Sequence, residues 1–270
     1  MWKWIFSGLL FFWVVLYFTV QAGLGFFPTK EEITGCITTK MFQVELCPKN
    51  KNYLHLKNVP DHFIKALVVA EDSLFWDHNG FDWKSIEENL REGMRTKKFK
   101  RGGSTLSQQL AKNMFLSSER SFFRKGKEAI ITLQLEHYLT KKEILEKYIN
   151  IVEFGPKLYG LQNAAKYYFG KSPAQLNLAE SAFLVMLLPN PKKYSSSFRQ
   201  QHLTPFAEKR IRQIIDYLFQ FKMIKEDAYY AGLEQVPYLF GGTPEPGFES
   251  NQGGSEDSDN EEDLSDDFFL

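Results

Sequence analysis

The chain has 270 residues and no formal net charge, and it is long enough to bury a sizeable core in one or two domains. Its two cysteines are too few to build a structural zinc site. The neutral total hides an uneven distribution, because the residues from Pro244 onward include ten acids and no lysine or arginine. The preceding residues therefore carry about +10, which suits an anionic partner such as a phosphate, an anionic lipid surface or nucleic acid.

The first 27 residues are dominated by apolar side chains. Ile5 to Val20 is uncharged and rich in Phe, Leu, Val and Trp, and the apolar character continues for roughly 20 residues, enough to span a bilayer. Residues 1–27 are therefore predicted to form a cytoplasmic stub and a transmembrane anchor, with the following segment carried outside. The alternative is a cleaved signal peptide, because Val20-Gln21-Ala22 resembles a cleavage site.

Residues 28–58 have mixed polarity and short β-type stretches such as residues 41–46, and they are interpreted as a connecting segment. Both cysteines, Cys36 and Cys47, fall in this segment. Outside the cytoplasm they could form a disulfide, and two free thiols are the alternative.

From Val59 to residue 240 the apolar residues recur at helical spacing. Asp61 is placed to cap the first helix, and T-x-x-Q and T-x-x-E capping boxes at Thr105 and Thr140 predict the start of two more. Other helices are predicted from about Phe122 to Tyr138, from Ser172-Pro173 onward, over the apolar and central residues 180–188, and over 204–222 and 225–232. No strands alternate with these helices, so residues 59–240 are predicted to form a single all-α domain.

Residues 241–270 are rich in Gly, Pro, Ser and acids, which predicts a disordered tail. Its last residues, Phe268-Phe269-Leu270, are apolar and could dock on another surface. An unstructured solubilising tail is the simpler interpretation.

Glu71 ends an apolar helical run and shares the helix face of Leu67 and Val68. Ionising a carboxylate on an apolar face is costly, so its pKa should rise and it could act as a general base or acid. The alternative is a helix-end glutamate that reaches water. The adjacent Asp72 could cap or orient the next segment of the chain.

Two further clusters suit an anion. Gly102-Gly103 precede the capped helix start at Thr105, where exposed backbone N–H groups favour a phosphate, and Arg101 and Lys112 add positive charge. The pattern is not a Walker motif. The second cluster, residues 124–128, places three cations before one acid. Together the cations would suit a pyrophosphate, although each cluster alone could be a solvated surface.

The combination of motifs is more specific than any single motif. In chain order the chain contains Glu71-Asp72-x-x-Phe75-x-x-His78-x-Gly80, Gly102-Gly103-Ser104-Thr105-x-x-Gln108-Gln109, Arg124-Lys125-x-x-Glu128, Lys142-Glu143-Ile144-Leu145-Glu146-x-Tyr148-x-Asn150 with Gly155, and Ala164-Ala165-x-Tyr167-Tyr168-Phe169-Gly170-Lys171 with Leu176 and Glu180. This order resembles the five-motif signature of the peptidoglycan glycosyltransferases, the transglycosylase module of penicillin-binding proteins, over about residues 55–195. The S-x-x-K and K-[ST]-G motifs of a transpeptidase module are absent, so the resemblance is to the monofunctional, membrane-anchored form.

The resemblance implies an all-α, lysozyme-like domain with one N-terminal transmembrane helix, on the outer face of the cytoplasmic (inner) membrane. It implies polymerisation of lipid II into β-1,4 glycan strands, with inversion and release of polyprenyl pyrophosphate. The implied partners are lipid II, the growing glycan strand and the bacterial membrane, with room for other cell-wall synthesis proteins and no role for nucleic acid. The resemblance implies no organic cofactor and allows a divalent cation, Mg²⁺ or Mn²⁺.

The resemblance also assigns roles by motif position. Glu71 would be the general base that takes the proton of the acceptor 4-hydroxyl, and Glu128 a second catalytic acid that assists departure of the pyrophosphate directly or through a divalent cation. The remaining assignments are Lys112, Arg124 and Lys125 on the pyrophosphate, Gly103, Ser104, Thr105, Gln108 and Gln109 in the donor cleft, Asn150 on the substrate, and Asp72, Phe75, His78, Glu146 and Tyr148 in support.

Two features depart from the family pattern: Ser73 stands where the family often has arginine, and the acidic tail has no counterpart. Two other functions remain open at this point. A lysozyme-like hydrolase or lytic transglycosylase would cleave preformed glycan, but it gives no reason for the cations around Arg124. An inactive cell-wall scaffold would be expected to lack Glu71 or Glu128, and both are present.

Overall fold

The computed structural model describes residues 13, 27–51, 53–96, 103–119 and 121–240. Within these ranges the chain is mostly helical, as predicted. The helices are α1 (Lys30–Thr34), α2 (Asp61–Glu71), α3 (Trp83–Thr96), α4 (Leu106–Phe115), α5 (Phe122–Tyr138), α6 (Lys141–Ile151), α7 (Leu161–Phe169), α8 (Leu178–Leu187), α9 (Pro191–Tyr194), α10 (Ser196–Gln200), α11 (Pro205–Gln220) and α12 (Glu226–Gln235), with 3-10 turns at Leu56–Asn58, Pro173–Gln175 and Val236–Tyr238.

No helix in these described ranges is both long and apolar enough to cross a bilayer. The predicted anchor, residues 5–20, lies outside the described residues except for Trp13, and the predicted disordered tail, residues 241–270, lies outside them entirely.

Two small antiparallel hairpins accompany the helices. β1 (Ile37–Thr38) pairs with β2 (Glu45–Leu46), and β3 (Glu153–Gly155) pairs with β4 (Leu158–Tyr159). The β-type pattern at residues 41–46 thus ends in a strand. The second hairpin was not predicted, because its strands are too short to show an alternating pattern.

Helix α8 forms the centre of the core. Every residue from Ala179 to Leu187 is buried, and the helix packs against both α2 and α11. A helix that is apolar on all sides has to be surrounded by other elements, and each large aliphatic side chain buried in this way contributes ~1.5–3 kcal/mol. The prediction of a central helix here is confirmed.

Local capping chemistry sets several of the helix starts. The side chain of Thr105 accepts from the backbone N–H of Gln108, whose own side chain accepts from Thr105 N–H, and Thr140 and Glu143 repeat this arrangement. Helix α5 begins and ends at the predicted residues. These predictions are confirmed because each depends on residues only three apart.

One predicted helix start is wrong, and a second one, the capping box of Ser172 with Gln175, is present but begins only a short 3-10 helix. Asp61 is the first residue of α2 and not its cap, because Pro60 occupies the N-cap position without a side-chain hydrogen bond. At Ser172 the chain makes a single 3-10 turn, and the extended Leu176 ends it. Helix α8 then begins at its own capping box, in which the Asn177 side chain accepts from Glu180 N–H.

The segment before α2 is tied to the helical domain. Cys36 and Cys47 form a disulfide across the first hairpin, which decides between the two alternatives for the cysteines. Ile33, Leu46 and Leu54 are buried in the same core as the helices. Residues 28–58 were interpreted as a connecting segment between the predicted anchor and the helical domain. In the structure, residues of this segment pack against the helical domain.

Candidate active site

Glu71 is the last residue of α2 and is half-buried. Its Oε2 accepts a hydrogen bond from Nε2 of Gln109 at 2.9 Å. Burial raises the pKa of the Glu71 carboxyl to about 7, and the negative charge of Asp72 adds to this rise. The amide of Gln109 and the charges of Lys112 and Arg210 lower the same pKa. Glu71 therefore titrates near neutral pH, as its position on the apolar helix face predicts.

Gln109 is held on its other side by Tyr148. The Tyr148 hydroxyl donates to Oε1 of Gln109 at 3.1 Å. Tyr148 is fully buried, and this burial raises the pKa of its hydroxyl well above the usual range, so the hydroxyl keeps its proton. Three helices thus meet in one line of hydrogen bonds, from Tyr148 on α6 through Gln109 on α4 to Glu71 on α2.

Asp72 has a different role from its neighbour. Its buried carboxylate accepts from the backbone N–H of Leu106 at 2.8 Å and from Nε2 of His78 at 3.0 Å. The N–H of Gly80 donates to Nδ1 of His78 at 3.1 Å, which assigns the ring proton to Nε2. Asp72 therefore connects the end of α2 to the start of α4, and the predicted supporting role agrees with these contacts.

Gly80 and Phe75 complete the turn that follows α2. Gly80 has φ +93°, and a Cβ there would lie 2.9 Å from Cγ2 of Thr132, so the position requires glycine. Its carbonyl accepts from Oγ1 of Thr105 at 2.7 Å. Phe75 is fully buried beneath this turn, with Nζ of Lys141 4.7 Å from its ring centre.

The start of α4 differs from the predicted phosphate site. The backbone N–H of Leu106 donates to Asp72 and that of Gln108 to Thr105 Oγ1, so protein groups occupy donors that an anion would need. Thr105 and Gln108 are buried and bonded to each other, so both stabilise the start of α4, and their assignment to the donor cleft stays a prediction. Gly103 and Ser104 are exposed in front of them, and Gln109 faces Glu71.

The predicted cation cluster surrounds Glu128 at the start of α5. The Glu128 carboxylate is 3% exposed and lies 3.2 Å from Nη1 of Arg124 and 2.5 Å from Nζ of Lys125. Burial lowers the pKa of the Lys112 ammonium, and the charges of Arg124 and Lys125 lower this pKa further, whereas those of Glu128 and Glu71 raise it. The Lys112 charge therefore interacts with both carboxylates, while Arg101 lies outside the described residues.

Glu146 and Asn150 are engaged elsewhere. Oε2 of Glu146 accepts from the N–H of Leu56 at 2.8 Å. The Asn150 amide accepts from the N–H of Leu54 at 2.8 Å and donates to the carbonyls of Leu54 and Glu146. Both side chains thus attach residues 54–56 to α6. These hydrogen bonds involve both the oxygen and the nitrogen of the Asn150 amide, and the assignment of Asn150 to the substrate stays a prediction.

Arg210 was missed by the sequence analysis. It lies on α11, which packs against α2, and its positive charge lowers the pKa of Glu71. Its Nη1 donates to Gln213 at 3.0 Å. Residue 210 is 139 positions beyond Glu71 in the chain, and nothing in the local pattern of α11 shows which helix it contacts.

Comparison with known proteins gives consistent matches. A family model described as Transglycosylase matches residues 39–218. Two similar proteins are named biosynthetic peptidoglycan transglycosylase. The one from Azoarcus sp. is 49% identical over 51% of this chain and 59% of its own length. The one from Acinetobacter baylyi is 45% identical over 56% of this chain and 67% of its own length. This chain therefore aligns over about three fifths of the first relative. Penicillin-Binding Protein 1A from Haemophilus influenzae matches at 19% identity and TM-score 0.34 (72% of this chain, 19% of that one), too weak a likeness to establish a shared fold.

Proposed function

Since the chain belongs to the transglycosylase family, we propose that it is a peptidoglycan glycosyltransferase that polymerises lipid II into β-1,4 glycan strands. One observation carries this proposal: the charge of Lys112 interacts with two different carboxyl groups. One is that of Glu71, with a pKa of about 7, and the other is the buried carboxylate of Glu128, which is surrounded by cations. A glycosyl transfer that releases pyrophosphate needs a base on one side of the reacting carbon and positive charge on the other.

Glu71 serves as the base in the proposed reaction. Its ionised carboxylate takes the proton from the 4-hydroxyl of the acceptor sugar, and the hydroxyl oxygen attacks the anomeric carbon of the donor. The new carbon–oxygen bond forms as the bond to the pyrophosphate breaks, so the configuration at that carbon inverts. Gln109 keeps the Glu71 carboxylate oriented by its 2.9 Å hydrogen bond, and Glu71 afterwards releases the proton to water.

The cations act on the leaving group. Negative charge builds up on the polyprenyl pyrophosphate as it departs, and Lys112, Arg124 and Lys125 stabilise it. Lys125 is half exposed and can reach a ligand, whereas Glu128 is buried. Glu128 therefore holds Arg124 and Lys125 in place for the pyrophosphate.

The donor atoms around Glu128 do not fit a divalent cation. Both of its oxygens face cationic side chains, and Mg²⁺ requires oxygen ligands. Across the described ranges no three His, Cys, Asp or Glu side chains are grouped so that they could hold a metal. We assign the neutralisation of the pyrophosphate to the protein's own cations.

The lysozyme-like fold and the membrane position belong to the same proposal. The apolar residues 5–20 would anchor the chain in the inner membrane, with the catalytic domain outside, where the disulfide is stable. Helix α3 supports a membrane-facing position, because its apolar residues Trp83, Leu90 and Met94 are 70%, 52% and 66% exposed. Separating membranes from soluble protein by centrifugation, with alkaline washing, tests the anchor.

The activity is tested by incubating the purified full chain with lipid II and separating the products by size. The wild type should make glycan polymer, and Glu71→Gln should make at least 100-fold less, as expected for loss of a general base. Glu234→Gln, a change at an exposed position of α12, is the matched control and should keep full activity. Absence of polymer with the wild type, or cleavage of preformed glycan instead, would contradict the proposal.

A further inference from the structure

Ser107, in the first turn of α4, is attached to a helix that begins 15 residues later in the chain. It is fully buried, and its Oγ donates to Oε1 of Glu136 on α5 at 2.5 Å. The two residues before it, Thr105 and Leu106, are bound to the end of α2 and to the turn that follows. Three consecutive residues at the start of α4 therefore each form a tertiary hydrogen bond.

The residues that accept these three bonds are connected to one another through Lys141, the first residue of α6. The Lys141 ammonium donates to Oε1 of Glu136 at 2.7 Å and lies 3.4 Å from Nδ1 of His78. His78 in turn donates from Nε2 to Asp72 and accepts from the N–H of Gly80. Lys141 therefore joins α6 to α5 and to the turn after α2, and through their hydrogen bonds to the start of α4.

The ion pair of Lys141 with Glu136 is largely removed from water. The two side chains are 17% and 9% exposed, and Nζ of Lys141 also lies 4.7 Å from the ring centre of Phe75. Burying two charges has a desolvation cost that offsets much of their attraction, and apolar replacements for such a pair often leave stability unchanged or raise it. The geometry that the pair imposes on its neighbours therefore explains it better than the stability it adds.

The start of α4 determines where Gln109 lies. Gln109 is two residues after Ser107, and its Nε2 donates to Glu71 at 2.9 Å. The charged and polar groups that act on the Glu71 carboxyl come from several elements: Asp72 beside it, Gln109 and Lys112 on α4, Arg210 on α11, and the buried hydroxyl of Tyr148 on α6. Two of these groups belong to α4, so a displacement of its first turn changes the surroundings of Glu71.

We propose that Lys141 is a positioning residue, which holds the first turn of α4 through Glu136 and His78 and thereby keeps Gln109 hydrogen-bonded to Glu71. Lys141 acts on the reaction through α4 and does not touch the substrate. The inference rests on the proposed function for one measurement, the rate of polymerisation. The placement of α4 and the titration of Glu71 are properties of the protein whatever its reaction.

The test compares Lys141→Met with the double variant Glu136→Met and Lys141→Met. The single variant leaves the Glu136 carboxylate buried without its cation and should melt below the wild type, whereas the double variant removes both charges and should recover most of that loss. Both should polymerise lipid II about 10-fold more slowly, because a small displacement of catalytic groups is costly. Lys142→Met, at the exposed neighbouring position of α6, is the matched control and should behave like the wild type.

The titration of Glu71 gives a second readout, which is independent of catalysis. Carbon-13 NMR of the full-length protein in detergent, labelled at glutamate Cδ, follows its carboxyl, and the loss of one signal in Glu71→Gln assigns it. The Gln109 hydrogen bond lowers the pKa of Glu71, so a looser Gln109 should move the titration to higher pH in the double variant. Asp72 remains next to Glu71 in the chain, so its charge changes the titration less. Ser107→Ala, which leaves the ion pair intact, should move the titration in the same direction.

A double variant with the wild-type rate and the wild-type titration of Glu71 would overturn the proposal and leave the ion pair a purely structural role. Slower polymerisation with an unchanged titration would also overturn it, because the effect would not pass through Gln109. If the double variant does not fold, the titration of Glu71 in Ser107→Ala decides alone. A wild type that makes no polymer refutes the proposed activity, and the titration of Glu71 in the variants still decides whether Lys141 holds α4 in place.

Discussion

The hydroxyl of Tyr148 donates to Oε1 of Gln109 at 3.1 Å, and this determines which end of the Gln109 amide faces Glu71. With Oε1 occupied, the amide nitrogen is directed at the Glu71 carboxylate and stabilises its ionised form. If the amide turned round, its oxygen would oppose that carboxylate. Tyr148 is thus a positioning residue that acts through Gln109.

Replacing Tyr148 by phenylalanine should shift the pH dependence of polymerisation. The Gln109 hydrogen bond lowers the pKa of Glu71, so a less firmly held amide should raise that pKa and move the acidic limb of the rate profile to higher pH. The rate at neutral pH should fall about 5-fold, the value of one hydrogen bond. Tyr230→Phe, at an exposed position, is the control, and an unchanged profile in Tyr148→Phe would contradict the positioning role.

Glu71→Gln should stabilise the folded protein while it removes activity. The pKa of Glu71 is raised in the folded state, so the folded protein keeps a proton that the unfolded chain has lost. Below about pH 4.5 Glu71 is protonated in both states and does not lower the free energy of unfolding. Between about pH 4.5 and 7 the free energy of unfolding falls, and above about pH 7 the loss approaches an upper bound of about 3 kcal/mol.

This cost can be measured by urea unfolding of wild type and Glu71→Gln at pH 5 and pH 8. The variant should gain little at pH 5 and more at pH 8, and Glu234→Gln should show no such difference. A stability gain for Glu71→Gln that is the same at both pH values would show that ionisation of Glu71 is not its source.

Lys125→Gln should impair the use of lipid II more than it disturbs the fold. Its ammonium is half exposed, and in the proposed reaction it neutralises the leaving pyrophosphate, so we expect an increase in KM and a rate about 10-fold lower. Lys166→Gln, at an exposed position of α7 outside residues 124–128, is the control and should change the rate little. An unfolded circular-dichroism spectrum for Lys125→Gln would argue for a structural role instead.

Asp72→Ala should destabilise the protein, in contrast to Glu71→Gln. It leaves the buried Leu106 N–H and the His78 ring without their acceptor, which should cost about 2–4 kcal/mol. Asp77→Asn, at an exposed site in the same turn, should have little effect on thermal unfolding. If Asp72→Ala melts at the wild-type temperature, Asp72 does not connect α2 to α4.

Reducing the disulfide should lower the stability of the domain. Cys36 and Cys47 are 11 residues apart, and closing a loop of this size restricts the unfolded chain by about 3 kcal/mol. Thermal unfolding with and without dithiothreitol measures the difference, and the double variant Cys36→Ser with Cys47→Ser should be insensitive to the reductant. Equal melting of the wild type in both conditions would show that the bond adds nothing to stability.

The residues close together in sequence determined much of this protein. The capping boxes at Thr105 and Thr140 and the bounds of α5 depend on neighbours within four residues. Helical periodicity and capping are local interactions, so the sequence alone predicts them. The motifs at Glu71 and Glu128 are also short stretches of sequence, so they indicate the family without knowledge of the fold.

Tertiary packing decided which groups meet. Asp72 occupies the start of α4 from 34 residues away, and Asn150 binds the backbone of Leu54 from 96 residues away. Arg210 acts on Glu71 because α11 packs against α2. Each contact depends on how the helices are arranged around α8, and the residue pattern of one helix does not contain that arrangement. The sequence therefore selected Glu71 and Glu128 as candidate site residues, whereas only the fold showed which neighbours hold their carboxylates in place.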